Sequence, residues 1–131
     1  MKRVRISSPH VGEPPPGLWS NCLRVGDVVY VSGMTSRSDD GATTVAADEY
    51  EQARLIFSKI RHLVEAAGGS MDDVTKINIY MVNIRKNTEV WRARKEFFSG
   101  DFPVSTLVEV SNLARPEILV EIEAVAHLGS G

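Results

Sequence analysis

Hydrophobic and polar positions alternate with a period of two from Val120 to Ala126. Val120, Ile122, Ala124 and Ala126 fall on one face of the strand this predicts, and Glu121 and Glu123 on the other. Thr106 to Val110 is rich in β-branched and apolar residues, and Phe102-Pro103 punctuates its start, so it predicts another strand. Asn112 to Glu117, with Pro116, is the turn that connects the two. Such a strand hides one face against helices. Carboxylates on its other face must meet water, a cation or a ligand cleft. A solvated face is the plain explanation for the two glutamates, because Glu is usually exposed.

Elsewhere the pattern changes period. Lys2 to Ile6 alternates charged and branched residues and predicts an edge strand. Ser7 to Gly17 holds Pro9, Pro14, Pro15 and Pro16, which no helix or central strand accommodates, so it is an ordered loop with polyproline character. Trp19 follows and is expected to fold onto the core as a loop residue. Leu23 to Val25 and Val28 to Ser32 flank Gly26-Asp27, the signal of a β-hairpin. Gly33 ends the second run, where backbone can approach a ligand closely. Met34 to Thr44 is polar, carries the turn Asp39-Asp40-Gly41, and predicts a surface loop.

The clearest helix runs from Ala46 to Ala67. Ala53, Phe57, Ile60, Val64 and Ala67 recur at spacings of four and three, with Ile56 and Leu63 widening the stripe. Asp48 or Thr44 caps its start, and Gly68-Gly69 stops it. Val74 to Val82 is a strand with Ile77, Ile79 and Met81 on one face and Lys76, Asn78 and Tyr80 on the other. A second helix is expected from a cap at Asn87 to about Ser99, with Val90, Ala93 and Phe97 inward. Arg92, Arg94 and Lys95 make it basic, as a solvated face would be.

The order is strand, hairpin, helix, strand, helix, strand, strand. Two helices on one face of a mixed sheet make an α+β sandwich in a single domain spanning residues 1–131. The other face needs cover, because Val28 to Val31 is apolar on both sides. With no third layer in the sequence, a second copy of the chain is the economical cover, so a homo-oligomer is expected.

Composition narrows the setting. A formal net charge of −2 argues against a general nucleic-acid binder. No apolar run approaches a membrane span. The basic residues of Met1 to Ile6 lead into no apolar block and are not expected to act as a secretory signal. The single Cys22 cannot form an internal disulfide, and a reducing, cytoplasmic setting is the simplest inference.

The residues exclude familiar chemistries. His10, His62 and His127 are far apart in sequence, and none sits at a metal-ligand spacing. No metal and no cofactor is expected. There is no Gly-x-Ser-x-Gly elbow, Walker loop or dinucleotide fingerprint, and Gly68-Gly69 follows a helix rather than opening one.

Several segments, taken together, resemble the RidA (YjgF/Rid) family. They are Val28-Val29-Tyr30-Val31-Ser32-Gly33, Val64-Glu65-Ala66-Ala67-Gly68-Gly69, Asp73-Val74-Thr75-Lys76, Phe97-Phe98 and Phe102-Pro103. Val108-Glu109-Val110 and then Val120 to Ala126 complete the match, which covers nearly the whole chain in order. The resemblance implies a chorismate-mutase-like subunit and a homotrimer with small-molecule clefts between subunits. It also implies hydrolysis of reactive enamines and imines to 2-oxo acids and ammonia without metal or cofactor. An iminium carbon is already electrophilic, so such a protein need only hold the substrate and orient a water.

In the family an arginine two residues after the Phe-Pro pair grips the substrate carboxylate, a task suited to a bidentate guanidinium. Here that position is Ser105, and the cysteine often found two residues later is Leu107. A tyrosine of the N-terminal loop corresponds to Trp19, and an asparagine of the second helix to Trp91. Glu121, the strand glutamate that places the water, is kept, along with Gly33. A charged hydrogen bond contributes ~1.5–3 kcal/mol against ~0.5–1.5 for the neutral one Ser105 can donate. Carboxylate grip therefore falls about tenfold or more. Arg24, Arg37 and Arg115 are the candidates to supply the missing cation from a neighbouring subunit, against the plainer reading that an Arg is simply exposed. The implied reading is a divergent imine or enamine deaminase with Glu121 as its catalytic residue. Trp19, Gly33, Trp91, Ser105 and Leu107 would line its substrate site. The alternatives are a non-catalytic trimer binding a small metabolite and, less favoured, a translation-inhibiting ribonuclease.

Overall fold

The computed structural model describes all 131 residues. Six strands form one mixed sheet: β1 (Arg3–Ile6), β2 (Cys22–Val25), β3 (Val28–Met34), β4 (Val74–Met81), β5 (Val104–Glu109) and β6 (Val120–His127). Their spatial order is β1-β2-β3-β6-β4-β5. The strand pairs are antiparallel except β4 and β5, which are parallel. The strands on either side of the 110–119 connection are therefore not neighbours, because β4 lies between them. No helix is long and apolar enough to cross a membrane.

Helices α1 (Glu49–Ala66) and α2 (Asn87–Arg94) cover one face. The apolar stripe of α1 is buried as its spacing requires: Ala53, Ile56, Phe57, Ile60, Leu63 and Val64 pack in one cluster with Val29, Val31, Ile77, Ile79, Ile122 and Ala124. Each large side chain removed from water contributes about 1.5–3 kcal/mol. The carboxylate of Asp48 accepts the Glu51 amide hydrogen at 2.8 Å and caps the helix. Ala46 has left-handed backbone (φ 71°) and lies outside it, so the helix starts three residues later than its periodicity suggests. Its end is a Schellman turn. Gly68 adopts φ 101°, which side chains resist, and the Gly69 and Gly68 amides donate to the Val64 and Glu65 carbonyls.

The second helix departs from expectation at both ends. Asn87 lies inside the first turn and caps nothing. A 3-10 turn, Ile84–Lys86, precedes the helix, and Asn83 is the side chain that caps this turn by accepting from the Arg85 amide. The helix stops at Arg94, and the chain then turns so that Phe98 enters the core edge-on to Phe57.

Register assigns side chains to faces. Ile77 and Ile79 sit opposite Ser105 and Leu107, so these two residues of β5 share the helix-covered face. Tyr80 and Asn78 sit opposite Glu121 and Glu123 on one side and Val108 and Thr106 on the other. That second face carries no helix. Tyr30, Val104 and Val108 are 50, 67 and 41% exposed on it, a large apolar area for an uncovered surface.

Candidate functional site

The widest cavity is a cleft of about 870 Å³ between the proline-rich loop, the end of β3 and the 34–41 loop. Glu121, Gly33 and Trp19 all line it, so three of the six residues expected at the substrate site meet there. Gly33 does not end its strand. It lies where the β3–β6 ladder loses register between Val31 and Met34, and the missing side chain leaves room for the Glu121 carboxyl.

The two acidic residues of β6 have different fates. Glu123 accepts from Tyr80 Oη at 2.7 Å and Asn78 Nδ2 at 3.1 Å. The Glu121 carboxylate faces the cleft and receives no hydrogen bond from the protein. Burial pushes its pKa above the usual carboxylate range, the neighbouring Glu123 pushes the same way, and Arg37 partly offsets them. A desolvated carboxylate without a bond of its own is suited to accept a proton from a bound water.

Trp19 is not folded onto the core. It is 46% exposed at the rim, and its indole N–H donates to Asn21 Oδ1 at 3.3 Å. The buried Asn21 in turn donates to the Gly12 carbonyl at 2.9 Å, so the loop is tied down beneath the tryptophan. The prolines around it cannot pack inward as a helix or strand, which leaves the ring on the cleft wall.

Ser105, Leu107 and Trp91 lie apart from this cleft. Ser105 and Leu107 are on β5, two strands from β6 and on the opposite face of the sheet. Trp91 is 44% exposed on α2. Ser105 is not an empty position, however: Arg94 Nη1 donates to its hydroxyl at 2.9 Å. Arg94, expected on a solvated face, is half-buried, with its guanidinium against the Ser105 hydroxyl. Helical spacing gave no hint of this contact, which depends on the pairing of β5 with β4.

The three arginines offered as substitutes separate clearly. Arg24 donates to the Ala67 carbonyl at the end of α1 and to the Gly26 carbonyl, and is structural. Arg115 donates to the Ala42 and Gly41 carbonyls at the edge of the cleft. Arg37 lines the cleft in the same chain as Glu121. No neighbouring subunit is needed to bring those two together.

Cys22 is buried on β2 beside Val31 of β3, and burial pushes its thiol up to about 11, which keeps it protonated and inert at neutral pH. His10 and His62, distant in sequence, stack with ring centroids 4.3 Å apart, outside the residues that line the cleft.

Comparison with known proteins bears on this arrangement. Residues 12–128 match the family model described as Endoribonuclease L-PSP. A 2-iminobutanoate/2-iminopropanoate deaminase of Dermatophagoides farinae is 35% identical over 128 residues, covering 95% of this chain and 97% of that protein. The crystal structure of PA3499 from Pseudomonas aeruginosa superposes with a TM-score of 0.86 at 39% identity, over 98% of this chain and 94% of that one. RidA from the Antarctic bacterium Psychrobacter gives 0.85 at 26% identity, over 95% and 99%.

Proposed function

This chain belongs to the RidA (endoribonuclease L-PSP) family, and we propose that it hydrolyses reactive imines or enamines in the Glu121 cleft to a carbonyl compound and ammonia. The observation that carries this reading is the Glu121 carboxyl itself: desolvated, unbonded and facing a cleft beside Gly33 and Trp19. The similarity to an imine deaminase along nearly the full chain supports the same chemistry.

The steps balance with water alone. Glu121 takes a proton from a water as its oxygen bonds to the C=N carbon, and the π electrons move to nitrogen. The proton passes from Glu121 to that nitrogen. As the C–N bond then breaks, the carbinol hydroxyl gives its proton through Glu121 to the departing nitrogen, so the carbonyl forms and ammonia leaves together. One carboxylate serves as base and then acid, and a pKa raised toward neutrality suits both tasks.

The working form in this proposal is a homotrimer. The uncovered apolar face with Tyr30, Val104 and Val108 supports association. A neighbour is also the means by which Ser105, Leu107 and Trp91, on the far edge and opposite face, would reach the Glu121 cleft. The unpaired, buried Cys22 fits a reducing compartment such as the cytoplasm.

The test is ammonia release from imines generated in situ by an amino-acid oxidase, with and without the protein. Acceleration with any amino acid supports the hydrolase; none across a broad panel removes it. Ser105 favours one second reading, a trimer that binds a small metabolite without turnover, because its hydroxyl is already engaged by Arg94. Ligand binding with no ammonia release would select it. A ribonuclease is less favoured: the net charge is −2, and the stacked histidines do not line the cleft.

A further inference from the structure

We propose that Arg37, supplied by the same chain as Glu121, grips the ligand's carboxylate, so that this cleft selects small 2-imino or 2-oxo acids over their neutral analogues. Three cationic side chains line the cleft: Arg37, Lys59 and Arg115. Two are committed to the protein. Lys59 Nζ donates to the Thr35 and Arg37 carbonyls at 2.8 and 2.7 Å. Arg115 donates to the Ala42 carbonyl at 2.9 Å and to the Gly41 carbonyl. The Arg37 guanidinium has no hydrogen bond and no ion pair, and its Nε–H is buried without a partner. Buried donors are rarely left unsatisfied, and a guanidinium presents five in a fork that matches a carboxylate.

The surroundings hold Arg37 ready. Lys59 grips its carbonyl, and its backbone bridges to Thr44. The Val45 and Ser38 amides donate to the Ser36 and Thr43 carbonyls at 2.7 and 2.8 Å and close the loop. The aliphatic stem of Arg37 lies against Gly41. Ordering the side chain therefore costs little at the moment of binding. Asp39 also lines the cleft and acts on Lys59, and no ion pair joins it to Arg37. Asp40 accepts from Ser38 Oγ and the Ala42 amide, and Glu13 from Arg5 and Asn21. Arg37 is near enough to Glu121 to oppose the rise in its pKa, yet the two are not paired. A carboxylate held on Arg37 would place the adjacent C=N carbon on the Glu121 side, with the ligand's side chain toward the flat wall of Trp19.

This inference rests on the hydrolase reading for the reaction but not for binding, and the experiment separates the two. Pyruvate and phenylpyruvate are titrated calorimetrically against their amides, using the wild-type protein, Arg37→Gln, Arg37→Lys and Arg94→Gln, with ammonia release measured in parallel. The wild type is expected to prefer the acids by about tenfold or more. Arg37→Gln should abolish the preference, Arg37→Lys should retain part of it, and Arg94→Gln should leave it intact. If Arg37→Gln fails to fold, a full preference in Arg37→Lys counts against the proposal, since a lysine lacks the bidentate fork. Equal affinity of the wild type for acids and amides overturns it, as does a preference that survives Arg37→Gln or is lost in Arg94→Gln. Acid binding through Arg37 without ammonia release would sustain the inference and remove the hydrolase. Ammonia release with an unchanged KM in Arg37→Gln would do the reverse.

Discussion

A methyl group at Gly33 would lie 2.9 Å from the carboxyl carbon of Glu121, across the irregular β3–β6 ladder. The strand can accept Ala there only if the glutamate swings away. Gly33→Ala is thus expected to preserve the fold and to cut kcat by on the order of 10²-fold, the usual cost of a displacement near 1 Å. Ammonia release against circular dichroism checks it. Full activity in a folded variant would show that the position of Glu121 is not fixed by that gap.

Glu121→Gln keeps the shape of the side chain and removes the proposed base. Turnover is expected to fall about 10²–10⁴-fold. The acid limb of the wild-type pH profile should lie above the ordinary carboxylate range, because burial raises this pKa. Stability should move the other way. With the folded pKa raised, the folded state holds more protons than the unfolded one, so the contribution is full below about pH 4.3 and is lost as pH rises through the folded value. Glu121→Gln removes that slope, and its Tm at about pH 8 should equal or exceed that of the wild type. A lower Tm there would mean that the carboxylate has a structural partner.

These two residues also show how far the sequence could be read. The alternation at Val120–Ala126 put Glu121 opposite the core, and Gly33 was marked as a close approach, because both signals are local. The stripe of α1 was equally plain. Arg37 was different. It stood only as one of three candidate arginines, because a polar loop has no period that separates a cleft residue from solvent-facing ones. The face of Ser105 could not be read either, since it depends on the parallel register with β4, a pairing made after an intervening helix. Asn87 was misplaced as a cap for a simpler reason. The 3-10 turn shifts the capping role to Asn83, and both are asparagines with a similar run behind them.

Arg94 and Ser105 allow a test of the β5 edge. With the Arg94 guanidinium 2.9 Å from the Ser105 hydroxyl, Ser105→Arg would press two like charges together. Denaturant titration is expected to show Ser105→Arg destabilised, and the double variant Arg94→Ser/Ser105→Arg recovering about 0.5–3 kcal/mol through coupling. Strict additivity would mean that the two side chains do not meet in solution.

Val108 stands 41% exposed on the helix-free face. If a second copy covers that face, Val108→Asp buries a charge without a partner, at a cost of several kcal/mol. Light scattering over a concentration series should then show the wild type as a trimer and the variant as a monomer. A wild type that is monomeric throughout would remove the assembly.

The placement of β6 has a consequence for how the chain reaches its native state. The strand farthest along the sequence occupies the middle of the sheet and pairs with β3 on one side and β4 on the other. Until it inserts, β1-β2-β3 and β4-β5 have no ladder joining them. Loop closure over most of the chain must come first, which places such a topology among the slower folders, in the range of about milliseconds to seconds. The same insertion delivers Glu121 to Gly33. The cleft and the sheet are thus completed in one event, and an intermediate that lacks β6 would hold neither the Glu121 carboxylate nor a continuous sheet.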